Sequence, residues 1–332
     1  MAIDWPRLRH IIDSHQRFLI TSHVRPDGDA IGSELGMAEL LAQKGKDFRI
    51  VNASNLPPRY RFLDPAGRIR NLEEAGHASE FDGIEVVIIL DTSAWNQLGG
   101  MAELVRATSA KKLVIDHHIG HDEMGAELFK DVTAAACGAL VAEAADHLGC
   151  ELTRQVAEPL FVAMATDTGW FRFGSTDGRT LRLAARLIDT GLAVDRLYRT
   201  LFEESSLARL KLIGRTLDSL RVVSNGRVAY TSIRLKDLEA TGAISQESED
   251  LVNYTLSITG VEVGLLFVEQ VTGEVKVSFR SRGRVDCTQL AGQFGGGGHR
   301  QAAGATINKP FSNAETTVLG AVEASLELQL RI

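Results

Sequence analysis

The chain has 332 residues, 44% of them hydrophobic, with a formal net charge of −7, enough apolar material for one large core or two modest ones. The acidic balance argues against a protein that coats long duplex DNA, which needs a dominant basic surface; a short anionic ligand in a local basic pocket stays open. No apolar stretch reaches the roughly 18 residues that span a bilayer, the opening MAIDWPRLRHII has no signal-peptide pattern, and Cys137, Cys150 and Cys287 lie in no CxxC pattern, so a cytoplasmic location with no membrane partner, disulfide framework or structural zinc is expected.

In the first half, β-rich runs recur with helical segments between them: FLITSH (18–23), FRIVNAS (48–54), VVIILDT (86–92) and KLVIDHH (112–118). Near-continuous apolar strands alternating with helices imply a parallel sheet covered on both faces. The first connecting helix is GSELGMAELLAQKG, with Leu35, Met37, Ala38, Leu40 and Leu41 on one broad apolar face and Gly45 as its stop. The fold class expected is α/β: an N-terminal doubly wound parallel sheet, in which ligands bind at the carboxyl ends of the strands. Three of the four strands end in His or Asp.

ELTRQVAEPLFVAMATDTG reads as a long helix, followed by a second helical run from about Thr180 through Leu220. The Gly and polar run in TGLAVDRLYRTLFEESS places a helical linker at 188–207, between a first domain at 1–187 and a second at 208–332. After Leu220 the texture changes. RVAYTSIRL, VEVGLLFVEQ and EVKVSFRSR are β-rich, and VTG joins the last two as a hairpin, so the second domain reads as a smaller α+β unit.

The polar residues at the strand ends need an explanation, because a buried carboxylate or imidazole costs free energy unless paired or ligated. TSHVRPDGDAIGS carries His23, Asp27 and Asp29, with Pro26 and Gly28 bending the loop. Asp29 alone is equally well read as a helix N-cap, and Asp91, at the end of VVIILD, as a turn cap. VIDHH adds Asp116, His117 and His118, and MATDTG adds Asp167. The topology brings these to one edge of the sheet, and so many acids exceed the needs of one ion. Two divalent cations sharing a carboxylate satisfy the count and form a device for phosphoester hydrolysis by activated water. Mixed carboxylate and imidazole ligands suit Mn2+, with Mg2+ second.

HxxxDxD, the strand-end Asp, the DHH triplet and TDTG, in that order over residues 18–175, together resemble the DHH phosphoesterases. The resemblance implies that His23 and Asp27 bind one metal, that Asp29, His117 and Asp167 bind the second, and that Asp91 bridges them. It also implies that His118 faces the substrate as a catalytic group while Asp116 supports from behind. His121 and Asp122 match nothing in the family pattern and are left out of the site.

In SFRSRGRVDCTQLAGQFGGGGHRQAAGATI (278–307), Arg280, Arg282 and Arg284 alternate and on a strand would share one face, where guanidinium groups can grip phosphate. No GxGxxG opens a helix after a strand and no Walker lysine is present; glycines at 295–298 would let backbone N–H groups approach an anion. The segment resembles the DHH-associated C-terminal domain, which the pyrophosphatases of the family lack. The resemblance then points to the compact bacterial oligoribonucleases that degrade nanoRNA and dephosphorylate 3′-phosphoadenosine 5′-phosphate, with Arg280, Arg282, Gly296, Gly297, Gly298 and His299 binding substrate. Linear or cyclic dinucleotide (pApA, c-di-AMP) phosphodiesterase activity and a non-catalytic nucleotide-binding module are the alternatives, and monomer and homodimer both stay open. Trp95, Trp170 and Phe173 lie near the motifs, where core packing outweighs stacking on a base.

Overall fold

The computed structural model describes residues 3–75 and 80–329. The chain divides into two compact units between Glu203 and Glu204, inside the stretch read as a linker.

The first unit holds β1 (Arg17–Thr21), β2 (Asp47–Asn52), β3 (Ile69–Asn71), β4 (Val86–Leu90), β5 (Lys111–Asp116) and β6 (Glu127–Lys130), all parallel in the order β3-β2-β1-β4-β5-β6. The order reverses between β1 and β4, the topological switch point of a doubly wound sheet. Four of these strands are the four runs read from the sequence. β3 and β6 are short edge strands, IRN and ELFK, too brief to show a period. Along β4, Val86, Ile88 and Leu90 enter the core on one face while Val87 and Ile89 enter the core on the other. Burial on both faces explains why the run reads as unbroken apolar rather than alternating.

The helices of this unit are α1 (Trp5–Ser14), α2 (Gly28–Gln43), α3 (Leu72–Ala75), α4 (Met101–Ala107), α5 (Cys137–Leu148), α6 (Arg154–Asp167), α7 (Gly178–Ile188) and α8 (Val194–Tyr198). A π-helical turn, Arg199–Glu203, continues α8. Gly28, Gly32 and Gly36 form an i, i+4, i+8 row on α2 facing α6. A Cβ at Gly28 or Gly36 would overlap the side chain of Thr166 or Leu160, and one at Gly32 would overlap the Pro159 carbonyl oxygen. Glycine thus permits the close approach that sets the end of α6, Asp167, beside the start of α2.

The single helical run expected from Thr180 to Leu220 is broken. It becomes α7, α8 with its π turn, and α9 (Leu207–Asp218). Gly191, in the left-handed region at φ 93°, ends the first piece, and the Ser206 side chain caps α9 by accepting from Arg209 N.

The second unit is a mixed six-stranded sheet in the order β11-β12-β10-β9-β8-β7: β7 (Arg221–Val223), β8 (Val228–Ile233), β9 (Val263–Glu269), β10 (Val275–Ser281), β11 (Gly297–His299) and β12 (Ala302–Ile307). Only the β8–β9 pair is parallel. Val275, Val277 and Phe279 face α11 (Cys287–Gly292) and α12 (Phe311–Gln329). Leu266 and Val268 face Leu212 of α9, beside α10 (Leu235–Thr241). Among the described residues no helix is long and apolar enough to cross a membrane.

Candidate metal centre

Asp91 organises the carboxyl edge of the first sheet. It follows β4 and sits at φ 59°, a left-handed backbone uncommon outside glycine. Its N–H donates to Ile115 O at 3.1 Å. The buried carboxylate looks two ways: Oδ2 is 3.4 Å from His23 Nε2, and Oδ1 is 3.4 Å from His117 Nε2. Around it stand two groups. Ligand atoms of His23, Asp27 and Asp91 lie within 4.8 Å of one another, and so do those of Asp29, His117 and Asp167.

Each imidazole is oriented from behind. His23 Nδ1 lies 3.0 Å from Val24 O and His117 Nδ1 lies 3.1 Å from Ala134 O. A carbonyl only accepts, so Nδ1 carries a proton and each Nε2 faces the carboxylates, the orientation from which Nε2, once deprotonated, can coordinate a metal. His118 Nδ1 lies 2.8 Å from Asp116 Oδ1, so its Nε2 is likewise turned away from the support. Asp27, rather than Asp29, is the N-cap of α2, its Oδ1 accepting from Asp29 N and Ala30 N. Asp29 instead sits at the start of α5, where Cys137 N donates to Oδ2 at 2.6 Å and Gly138 N to Oδ1 at 2.8 Å. That contact spans more than a hundred residues, and no local pattern announces it.

The electrostatics show a site built around positive charge. Burial pushes Asp29 well above the carboxylate range, with Asp91 adding to the push. Burial likewise raises Asp167, and with Asp27 and Asp91 it outweighs the opposing His117, to about 6. Asp91 goes the other way, because His117 and His23 outweigh burial. Burial works against charge on His23, but Asp91 and Asp27 carry it up to about 10; His117 is raised against burial by Asp91, Asp167 and Asp29. Asp91 Oδ1 is buried and accepts no hydrogen bond, a costly arrangement that a cation would relieve. Hard carboxylate oxygens with imidazole nitrogens are a donor set that fits a divalent ion.

Beside this cluster, Asp116 is fully buried and accepts from His118 N and Nδ1, Ser93 Oγ and Lys130 Nζ. Asp122 caps the neighbouring loop through Trp95 N at 2.7 Å, which accounts for its place outside the site. Trp95 stacks under Arg106, while Trp170 packs with Phe161, Tyr198 and Phe202. Phe173 packs over Gly169.

Residues 17–164 match the DHH family, N-terminal domain, and residues 225–327 match the DHHA1 domain. The bifunctional oligoribonuclease and PAP phosphatase NrnA of Bacillus subtilis is 30% identical over 300 residues, covering 89% of this chain and 91% of that protein. The chain belongs to the DHH family. The Thermus thermophilus protein of the same name is 33% identical, over 92% of this chain and 89% of its own length. The crystal structure of an exopolyphosphatase-related protein from Bacteroides fragilis superposes on this DHH chain with a TM-score of 0.90 at 26% identity, covering 98% and 97% of the two chains.

Within the DHHA1 domain, β10 ends at Ser281, so Arg280 alone of the three alternating arginines is a strand residue. Gly283, at φ 105°, turns the chain before Arg284. Arg280 Nε donates to Asn253 Oδ1 at 3.3 Å, and Arg282 Nε donates to Val261 O at 2.9 Å. Both guanidinium groups therefore lean on the segment at 251–261, whereas the Arg284 N–H bonds Glu262. The glycine run is not an open loop. Gly297–His299 form β11, and a Cβ at Gly296 would overlap Gly304 O while one at Gly298 would lie 2.6 Å from Ala302 O. Gly297 has open space beside it.

Proposed function

We propose that this chain is a divalent-cation-dependent phosphoesterase that hydrolyses short oligoribonucleotides to mononucleotides and removes the 3′-phosphate of adenosine 3′,5′-bisphosphate. The observation that carries the reading is Asp91, a buried carboxylate on a left-handed backbone whose two oxygens face two His–carboxylate groups. Similarity to the NrnA proteins over about nine-tenths of the chain supports the substrate class.

In this reading His23 and Asp27 would hold one cation, Asp29, His117 and Asp167 would hold a second, and Asp91 would serve both. Bound there, such ions supply Lewis-acid charge and make water nucleophilic near neutral pH; Mn2+ suits the ligand mixture best and Mg2+ less well. The chain's residues do the rest. Nδ1 protonation of His23 and His117 keeps their lone pairs aimed inward, and the backbone N–H groups of Cys137 and Gly138 stop Asp29 from rotating. His118, with Nδ1 on Asp116, is oriented to give a proton from Nε2 to the leaving oxygen. Arg280, Arg282, the Gly296–Gly298 backbone and His299 are the proposed phosphate-binding residues of the DHHA1 domain.

The purified protein with Mn2+ is to be assayed against short RNA, pApA, cyclic di-AMP, adenosine 3′,5′-bisphosphate and pyrophosphate. Turnover of short RNA and the bisphosphate is expected. Cleavage confined to dinucleotides would move the assignment to a dinucleotide phosphodiesterase, and rapid pyrophosphate turnover without nucleotide activity would refute the reading.

A further inference from the structure

We propose that Lys130 is a positioning residue for the reaction, holding His118 in its working orientation through Asp116. The inference rests on the reading above that His118 protonates the leaving oxygen. In that step a water oxygen forms the new bond to phosphorus and the bond from phosphorus to the ribose oxygen breaks. The electron pair stays on the departing oxygen, which takes the proton from Nε2 of the His118 imidazolium, while the attacking water's proton passes to solvent, from which His118 is reprotonated.

Asp116 divides its two oxygens between two tasks. Oδ1 accepts from His118 N at 3.0 Å and His118 Nδ1 at 2.8 Å. Oδ2 accepts from Ser93 Oγ at 2.6 Å and Lys130 Nζ at 2.9 Å. An ionised carboxylate is acceptor-only, so one proton of the His118 imidazolium is held on Nδ1 and the transferable one lies on Nε2 as long as Asp116 stays in this rotamer. The donors on Oδ2 are what prevent that carboxylate from turning. Lys130 does more than neutralise charge: its Nζ also donates to Gly120 O at 2.5 Å and to Ser93 Oγ at 2.7 Å, leaving the single hydroxyl proton of Ser93 for Asp116 Oδ2. The turn that follows His118 is tied to the same clamp.

The fold dictates the contact. Asp116 and Lys130 are register partners across β5 and β6, and a lysine on an edge strand ordinarily extends into water. Here the Lys130 side chain is 11% exposed and turned inward to a carboxylate with no exposure at all. The competing reading is an ion pair that merely clips β6 to its neighbour.

The two readings separate in a double-mutant cycle on the full chain with Mn2+ and short RNA, using Lys130→Met, His118→Ala and the pair. Lys130→Met should lower kcat by about 30- to 100-fold, the scale of a misplaced catalytic group, with KM nearly unchanged, and the double variant should equal His118→Ala. Losses that multiply, or wild-type turnover in Lys130→Met, would overturn the inference. Full turnover in His118→Ala would instead remove the assigned role of His118, a distinct failure that takes the inference with it. A second readout is independent of turnover: in metal-free protein with 15N-labelled histidine, solvent exchange of the His118 Nδ1 proton should be slow in the wild type and fast in both Asp116→Asn and Lys130→Met. Retained protection in Lys130→Met would overturn the inference whatever the kinetics. Should Lys130→Met not fold, Lys130→Gln, which keeps a donor but no charge, should give intermediate turnover and protection; wild-type values for both would overturn the inference.

Discussion

Replacing Gly32 by Ala tests how the fold sets the spacing of the candidate metal centre. Ala is the better helix former by about 1 kcal/mol in an exposed helix interior, so propensity alone predicts stabilisation. Packing predicts the opposite. The new Cβ would overlap the Pro159 carbonyl oxygen and lie 2.8 Å from Ala163 Cβ, whereas carbon atoms prefer about 3.5–4.0 Å. α2 and α6 must therefore part by about 1 Å at this level, an overpacking that costs about 1–3 kcal/mol and outweighs the propensity gain. The functional effect should be larger than the structural one, because Asp29 rides on α2 and Asp167 ends α6. A 1 Å misplacement of catalytic groups costs on the order of 100-fold in rate. Gly214→Ala is the control: Gly214 lies inside α9 with nothing within 4 Å of an added Cβ, so it should stabilise by roughly 0.5–1 kcal/mol and leave turnover unchanged. Urea unfolding, Mn2+ titration calorimetry and oligoribonucleotide hydrolysis read the three effects. Gly32→Ala with undiminished stability and Mn2+ affinity would refute the reasoning.

Asp167→Asn should stabilise the protein in chelator at pH 8. The folded pKa near 6 against about 3.9 unfolded means that ionisation costs up to about 3 kcal/mol, setting in as pH rises from about 4 to 6 and absent below. Urea titrations should show the advantage vanish near pH 4 and reverse with Mn2+; an advantage equal at both pH values would contradict this origin. Asp91→Asn should lower metal-dependent turnover by about 1,000-fold or more, since metal charge stabilisation is worth several kcal/mol, with circular dichroism unchanged; wild-type turnover would exclude its shared role. Glu127 is held down to about 2 by Arg7 and Lys111. This depressed pKa contributes stability above about pH 4.3 that is lost as pH falls toward 2; because these groups are substantially exposed, Glu127→Gln should cost only about 1 kcal/mol at pH 7, and less in high salt. A loss that salt does not reduce would place the effect elsewhere.

The residues of the candidate site were legible as residue types, and the partners that hold them were not. HxxxDxD, the strand-end Asp91, DHH and TDTG are local patterns at the carboxyl ends of strands or helices, so chain order and alternation were enough to place them on one edge. The row Gly28, Gly32, Gly36 was also present to be read, at the i, i+4, i+8 spacing of a helix face that accepts a close neighbour. Lys130 could not be found in this way, because a four-residue edge strand carries too few positions to show a period.

The sequence by itself determined the fold class, the two-domain order and the set of carboxylates and imidazoles, because burial patterns and turn chemistry act over a few residues. Tertiary structure alone decided which group supports which. The α5 N-terminus holds Asp29 from across more than a hundred residues, β6 brings Lys130 to Asp116, and the left-handed backbone at Asp91 turns one carboxylate toward two imidazoles. These contacts come from strand order and helix packing, which depend on the whole first unit closing around its sheet, and no local window of residues contains that information.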